Sequence, residues 1–370
     1  MFKTINSSKF MKNIIQIILI LSLSINKADS QGCATIRNII GVGQFQPNTN
    51  SFSTSAWQLN ISNRYYKSFR DFRNTIDLET PAQNEAINKN YSIDFAVTHL
   101  LTNGWSLSLA IPILDNSREA SAEHGGINTT RHTTRAFGLG DIRIMAAKWI
   151  LKPSENLKGN FQMALGLKLP TGDYQVQDYF YRNDTTRVLA PVNPGIQLGD
   201  GGTGIITQIN GYYQVTKTLN FYADLYYMST PQEQNGVSVL SGRTPTVIQL
   251  KAGIPETSVT DAYVLRAGAY LNLKEKLTAS LGIRKEGVPV EDLIGGSNGT
   301  RRPGYYLSVE PGLIYNSRTV SWYAQVPLNF RQAIHQNVPD KIVEKLTGTP
   351  TSSPGGSSNN QFLFGALFRL

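Results

Sequence analysis

Histidines and charged residues are the groups in this sequence with the types and spacing to do chemistry. They suggest different things. The four histidines are His99, His124, His132 and His335. No two stand at metal-ligand spacing on one strand, and no serine–histidine–acid set converges by alternation. No catalytic residue, metal or cofactor is therefore expected. His99 closes an alternating segment; the other three fall in long polar connections, where a solvated histidine is the ordinary case. His124 beside Glu123, or His132, leaves one enzymatic alternative open, a lipid hydrolase built on loops. The charged residues say more. Asp94, Lys168, Asp224, Arg266, Arg284 and Glu310 each fall on the polar face of a segment whose other face is apolar. Alternation puts those faces on opposite sides of a strand. If the apolar face meets lipid, a charge there costs about 2–4 kcal/mol, so these residues must point the other way, into a lumen. There they line a polar path and set its selectivity, or they pair and hold a filled interior together.

The elements that carry them are strands. "WQLNISNRY" sets Trp57, Leu59, Ile61 and Tyr65 on one face, and "YSIDFAVTHL" does the same with Tyr91, Ile93, Phe95 and Val97. "FQMALGLKL" presents Phe161, Met163, Leu165, Leu167 and Leu169. "WSLSLAIPI", "LNFYADLYY", "LTASLGIR", "YYLSVEPGLIY" and "VSWYAQVPLNF" repeat the pattern. About twelve such segments begin near residues 56, 91, 105, 139, 160, 204, 219, 262, 277, 305, 320 and 361. The pattern blurs in three places. Near 142–151, Ile142 and Ile144 compete with Met145, Ala147 and Trp149 for the outward face. Near 204–215 the polar face is poor. Residues 243–253 read as a strand extension or an extra hairpin.

The connections alternate in length. Short ones lie near 101–104, 152–159, 216–218, 272–276 and 316–318; long ones near 66–90, 115–137, 170–203, 229–260, 285–304 and 331–360. A compact soluble domain rarely carries so many long structureless loops. A membrane barrel has this asymmetry by construction, and lipid requires its sheet to close so that no backbone group is left unpaired. The expected fold is all-β: a single transmembrane antiparallel β-barrel of about 12 strands, with short periplasmic turns and long extracellular loops. Trp57, Trp105, Trp149 and Trp322 near strand ends suit an interfacial aromatic girdle. A secreted β-sandwich is the alternative, and the loop asymmetry speaks against it.

The start of the chain indicates export. Lys3, Lys9 and Lys12 precede the apolar run "IIQIILILSLSI", and "ADS" at 28–30 follows with small residues. Residues 1–30 read as a cleavable signal peptide, with a retained anchor helix as the alternative. Cys33, the single cysteine, excludes an intrachain disulfide, and lipidation there is the alternative to a free thiol. Residues 31–54 precede the first strand as a plug or periplasmic extension, and 55–370 form the barrel. The formal charge of +9 falls to +6 once Lys3, Lys9, Lys12, Lys27 and Asp29 are removed with the signal. No basic run or aromatic-interleaved basic stripe appears, so nucleic acid is not an expected partner.

"FGLGDIRIMAAKWIL" at 137–151, "GNFQMALGLKLPTGDY" at 159–174 and "LGDGGTGIITQINGYYQVTKTLNFYADLYY" at 198–227 resemble the outer-membrane barrel family named for the MetA pathway of phenol degradation. The resemblance covers residues 90–230 and the rest by pattern only. It implies an outer-membrane barrel of a Gram-negative bacterium that serves as a channel for small hydrophobic compounds, and it supplies no catalytic residues. On the residues themselves, Gly138, Gly140 and Gly172 suit bends at a barrel rim. "GDGGTG" at 199–204 lacks both P-loop and calcium-loop spacing and reads as a flexible loop. Passive passage or uptake of a small solute is the expected function; a non-conducting surface barrel whose long loops bind a partner is the alternative. Outer-membrane lipid and the barrel-assembly machinery are the expected partners. "QFLFGALFRL" supports the second of these. Phe362, Phe364, Phe368 and Leu370 share the outward face, with Gly365 and Arg369 inward, as in a C-terminal assembly signal. Such a signal usually ends in an aromatic residue, and here it ends in Leu370.

Overall fold

The computed structural model describes residues 57–79, 85–121, 130–152, 158–240 and 243–370. The expected signal peptide, the segment 31–54, Cys33 and His124 lie outside the described residues. Twelve antiparallel strands close into one barrel. They are β1 (Trp57–Arg73), β2 (Ile87–Leu100), β3 (Trp105–Ala120), β4 (in two pieces, His132–Leu139 and Arg143–Trp149), β5 (Gly159–Lys168) and β6 (Gly204–Gln214). The other half comprises β7 (Leu219–Ser229), β8 (Ala262–Lys274), β9 (Leu277–Val288), β10 (Gly304–Asn316), β11 (in two pieces, Val320–Gln325 and Leu328–Ile334) and β12 (Gly355–Arg369). Neighbours in sequence are neighbours in the sheet. β12 closes on β1, with Gln58 opposite Arg369 and Tyr65 opposite Phe362. Leu370 N donates to Trp57 O at 3.0 Å, so the last residue is part of the closing seam.

Alternation explains which face is which. Leu107, Leu109, Ile144, Leu165, Leu167, Phe221, Leu281, Ile283, Leu313, Phe362 and Phe364 are exposed on the outside. An apolar band of that extent belongs against lipid. Trp57, Trp105 and Trp322 are exposed at the short-turn end, and His99 stacks on Trp57 with ring centroids 4.1 Å apart. The inward residues between them are mostly polar and buried.

Several expected boundaries move. Residues 66–73 continue β1, 115–120 continue β3, 132–137 belong to β4 and 355–360 to β12, where long loops were expected. Beyond the lipid band both faces of a strand are wet, so backbone pairing continues without apolar alternation. His132 accordingly opens β4 instead of sitting in a loop. The competition at 142–151 resolves with a break at 140–142; Ile144 faces out, and Met145 and Ala147 face in. The weak pattern at 204–215 has a plain cause: β6 turns Ile206 inward, where it is fully buried. Residues 243–253 form neither strand nor hairpin. Val247–Lys251 is a short helix, α1, started by a capping box of Thr246 and Gln249. The long loops also carry structure: paired strands Gln177–Tyr181 and Arg187–Pro191, the pair Gln234–Ser238 and Glu256–Ser258, and helix α2 (Val338–Thr347).

Candidate functional site

The lumen is the candidate site, and its wall from β7 to β10 is layered. Nearest the short turns lie Tyr222, Tyr270, Ile314 and Tyr323, buried together, with the first two rings stacked at 4.6 Å. Above them sits a charged network. Arg266 Nε and Nη2 donate to the two carboxylate oxygens of Glu310, both at 3.0 Å, and its Nη1 lies 3.7 Å from Asp224. Arg284 Nη2 donates to Glu286 at 2.7 Å, and its Nη1 lies 3.7 Å from Glu310. Three amides complete the set: Gln208 donates to Asp224 at 2.9 Å, Gln361 donates to Glu286 at 2.5 Å, and Gln325 accepts from Arg266 at 3.2 Å. Glu310 is wholly buried. Bidentate, fully desolvated pairs of this kind are geometrically rigid. Above the charges comes an apolar belt that includes Tyr226, Met228, Ala262 and Val264.

The opposite wall, from β1 to β5, carries a patch of small side chains among larger buried ones such as Gln58, Arg64, Met145, Gln162 and Lys168. Ser62, Ala96, Thr98, Ser108, Ala110, Ala147 and Ala164 face inward. Ser62, Asp94 and Ser108 remain partly exposed although they lie on the lumen face. Asp94 accepts from Ser92 Oγ at 3.1 Å and makes no ion pair among the described residues. Thus Asp224, Arg266, Arg284 and Glu310 converge in one network, while Asp94 stands apart from it.

Lys168 forms a separate corner near the long-loop end. Its ammonium makes a close ion pair with Asp200 and lies 3.6 Å from Asp141. Asp141 also accepts from Gly172 N at 3.0 Å. Gly172 and Gly199 meet backbone to backbone; a Cβ on Gly199 would sit 2.5 Å from Gly172 O, so only glycine allows this approach. The glycine-rich segments singled out in the sequence therefore come together here. Arg143 stands directly across the strand from Lys168.

Loops close over this end. Asn90 and Asn116 donate to Gly195 O and Ile196 O at 3.1 and 3.2 Å, drawing the 169–203 connection inward. Ile196 is fully buried against Leu114, Ala136, Val192 and Leu198. Arg301 ties the next loops together through Asp292 at 2.5 and 2.9 Å and Ser258 at 2.6 Å. Burial pushes the Asp292 carboxyl above its ordinary range, with the Arg301 guanidinium pulling the other way. At the short-turn end Arg369 Nη2 donates to Ser321 Oγ at 2.7 Å. Phe362, Phe364 and Leu370 are exposed; Phe368 is partly covered and meets Trp322 edge-on at 6.3 Å. His132 stacks on Tyr181 at 3.7 Å, with Asp184 also 3.7 Å away. Among the described residues no cluster of histidine, cysteine or acidic side chains is disposed to hold a metal.

Glu286, Asp141, Asp200 and Arg143 were not singled out from the sequence. Glu286 is two residues from Arg284 on the same face, a signal hidden because the strand was expected to end at Arg284. Arg143 lies where the alternation was ambiguous. Asp141 sits in a glycine-rich stretch that reads as a rim bend, and Asp200 in one that reads as a flexible loop.

No family model and no curated relative matches the chain. The phenol-degradation family suggested by the sequence thus finds no matching model. Solved structures do share its architecture. The COG4313 outer membrane channel from Pseudomonas putida F1 superimposes with a TM-score of 0.60 at 10% identity, over 89% of this chain and 99% of that one. This chain has the fold of an outer-membrane β-barrel. The translocator domain of the autotransporter NalP from Neisseria meningitidis matches more loosely, with TM-score 0.45, 10% identity and coverage of 89% and 94%. So does the P. putida toluene transporter TodX, with TM-score 0.43, 8% identity and coverage of 88% and 93%. At such identities the likeness concerns the fold, and among these three only the first superimposes closely.

Proposed function

We propose that this outer-membrane-type barrel resides in the outer membrane of a Gram-negative cell and passes a small solute by passive diffusion. The asymmetry of the lumen carries the reading. One wall is a closed network of ion pairs and tyrosines. The other includes a patch of small side chains, with Ser62, Asp94 and Ser108 partly exposed. Buried polar atoms without a protein partner, including Asn210 Nδ2, Asn220 Oδ1 and Ser280 Oγ, favour a hydrated interior. A brace on one side lets the other side remain unfilled. The inward 169–203 loop keeps the path narrow, and the apolar belt admits an apolar body beside the water.

Conductance of the purified barrel in planar bilayers tests this. Small, reproducible steps are expected. A barrel that inserts yet passes neither ions nor small solutes in liposome swelling would sink the reading. The complete burial of Ile196 favours a second reading, in which the loop seals the mouth and the barrel displays its loops to a partner. A silent wild type that conducts after deletion of residues 175–197 would support that one.

A further inference from the structure

Arg143 is the lumenal charge whose surroundings passive diffusion alone does not explain. It faces inward on the lower piece of β4, between Ala110 of β3 and Lys168 of β5. Its side chain is 6% exposed, its Nε has no hydrogen-bond partner, and it makes no ion pair among the described residues. A guanidinium buried in that state is costly. The buried cations Lys168, Arg266 and Arg284 hold carboxylates, while Arg369, at the short-turn end, donates to Ser321 Oγ. The acids beside Arg143 are already engaged: Asp141 with Gly172 N and Lys168, Asp200 with Gly202 N and Lys168. Formal charge at this corner is therefore balanced. What Arg143 offers is a buried, unpaired Nε–H donor on a planar guanidinium.

The wall beside it is apolar, because Ala110, Met145, Ala147, Ala164, Ile206 and Met228 belong to one buried cluster. A planar donor fork at the edge of an apolar wall fits a planar anion attached to an apolar body. We propose that Arg143 binds the carboxylate of the solute, and that the solute class is small apolar monocarboxylates. The inference rests on the channel reading for the word solute, and on Arg143 alone for the site. Inorganic phosphate would match the fork and gain nothing from the wall. Asp94, which meets Pro112 of β3 and has no cation of its own, would also repel a dianion more than a monoanion.

Calorimetric titration of the full chain in detergent with hexanoate, hexanamide and inorganic phosphate tests the site without requiring conduction. Hexanoate is expected to bind about tenfold or more tighter than either of the others. Arg143→Gln should remove that preference, with heat-modifiable gel migration reporting that the variant is folded. Arg143→Lys keeps the charge without the fork and should lose severalfold, which decides the matter if the glutamine variant does not fold. A wild type that binds hexanoate no better than hexanamide, or a folded variant that keeps the preference, overturns the proposal. Phosphate binding as tight as hexanoate overturns the apolar part. Hexanoate binding by a barrel silent in bilayers would leave the Arg143 site standing and remove the channel; conduction without the preference would do the reverse.

Discussion

The two walls of the lumen follow opposite rules. From β7 to β10, large side chains fill the space and the charges pair, with Glu310 shared between Arg266 and Arg284. From β1 to β5, a patch of small side chains lies among larger ones, and two charges, Asp94 and Arg143, lack an ionic partner among the described residues. The difference separates charges engaged in ion pairs from charges without an ionic partner. Removing one member of a buried pair strands the other in a low dielectric, whereas changing Asp94, unpaired and partly exposed, strands no partner.

Substitutions can break this contrast, starting with the largest expected effect. Arg266→Met leaves Glu310 and Asp224 without their principal cation and should cost about 3–5 kcal/mol, read as a lower urea midpoint for loss of heat-modifiable migration. A variant as stable as the wild type would show that the network is not a brace. Gly365→Ala should follow at about 1–3 kcal/mol in the same assay, since an added methyl overpacks a filled site. Its Cβ would sit 2.5 Å from both Tyr323 Oη and Ile61 O, displacing a tyrosine that donates to Asn60 at 2.9 Å across the closing seam. Ser108→Leu in the small-residue patch should reduce single-channel conductance while leaving the urea midpoint close to wild type. A large loss of stability there would mean that the wall is packed after all. Asp94→Asn should change stability by less than about 0.5 kcal/mol and move the reversal potential in a salt gradient toward anion preference. An unmoved potential would take Asp94 out of the conducting path.

Much of this architecture was legible in the chain. Alternation in "YSIDFAVTHL" and "FQMALGLKL" identified strands with one lipid face, and it placed Asp94 and Lys168 on the other. What escaped has physical causes. Residues 66–73 and 355–360 extend the barrel beyond the lipid, where pairing persists and the apolar pattern does not. Ile206 and Met228 face inward as part of the apolar belt, so hydrophobicity there did not mean lipid. The break at 140–142 shifted the register of reading and concealed Arg143. Glu286 was lost with an assumed strand end.

Sequence by itself determined the class of fold, the closing role of the last strand and the side of each strand on which charge is tolerated. Those follow from local rules: a period of two, and the cost of placing charge against lipid. Only tertiary structure decided which charges meet. Gln361 reaches Glu286 across 75 residues of chain, and Arg266 reaches Glu310 across 44. Strand tilt and barrel closure set those encounters, and no local pattern encodes them. The same closure left Asp94 and Arg143 outside the ion-pair network.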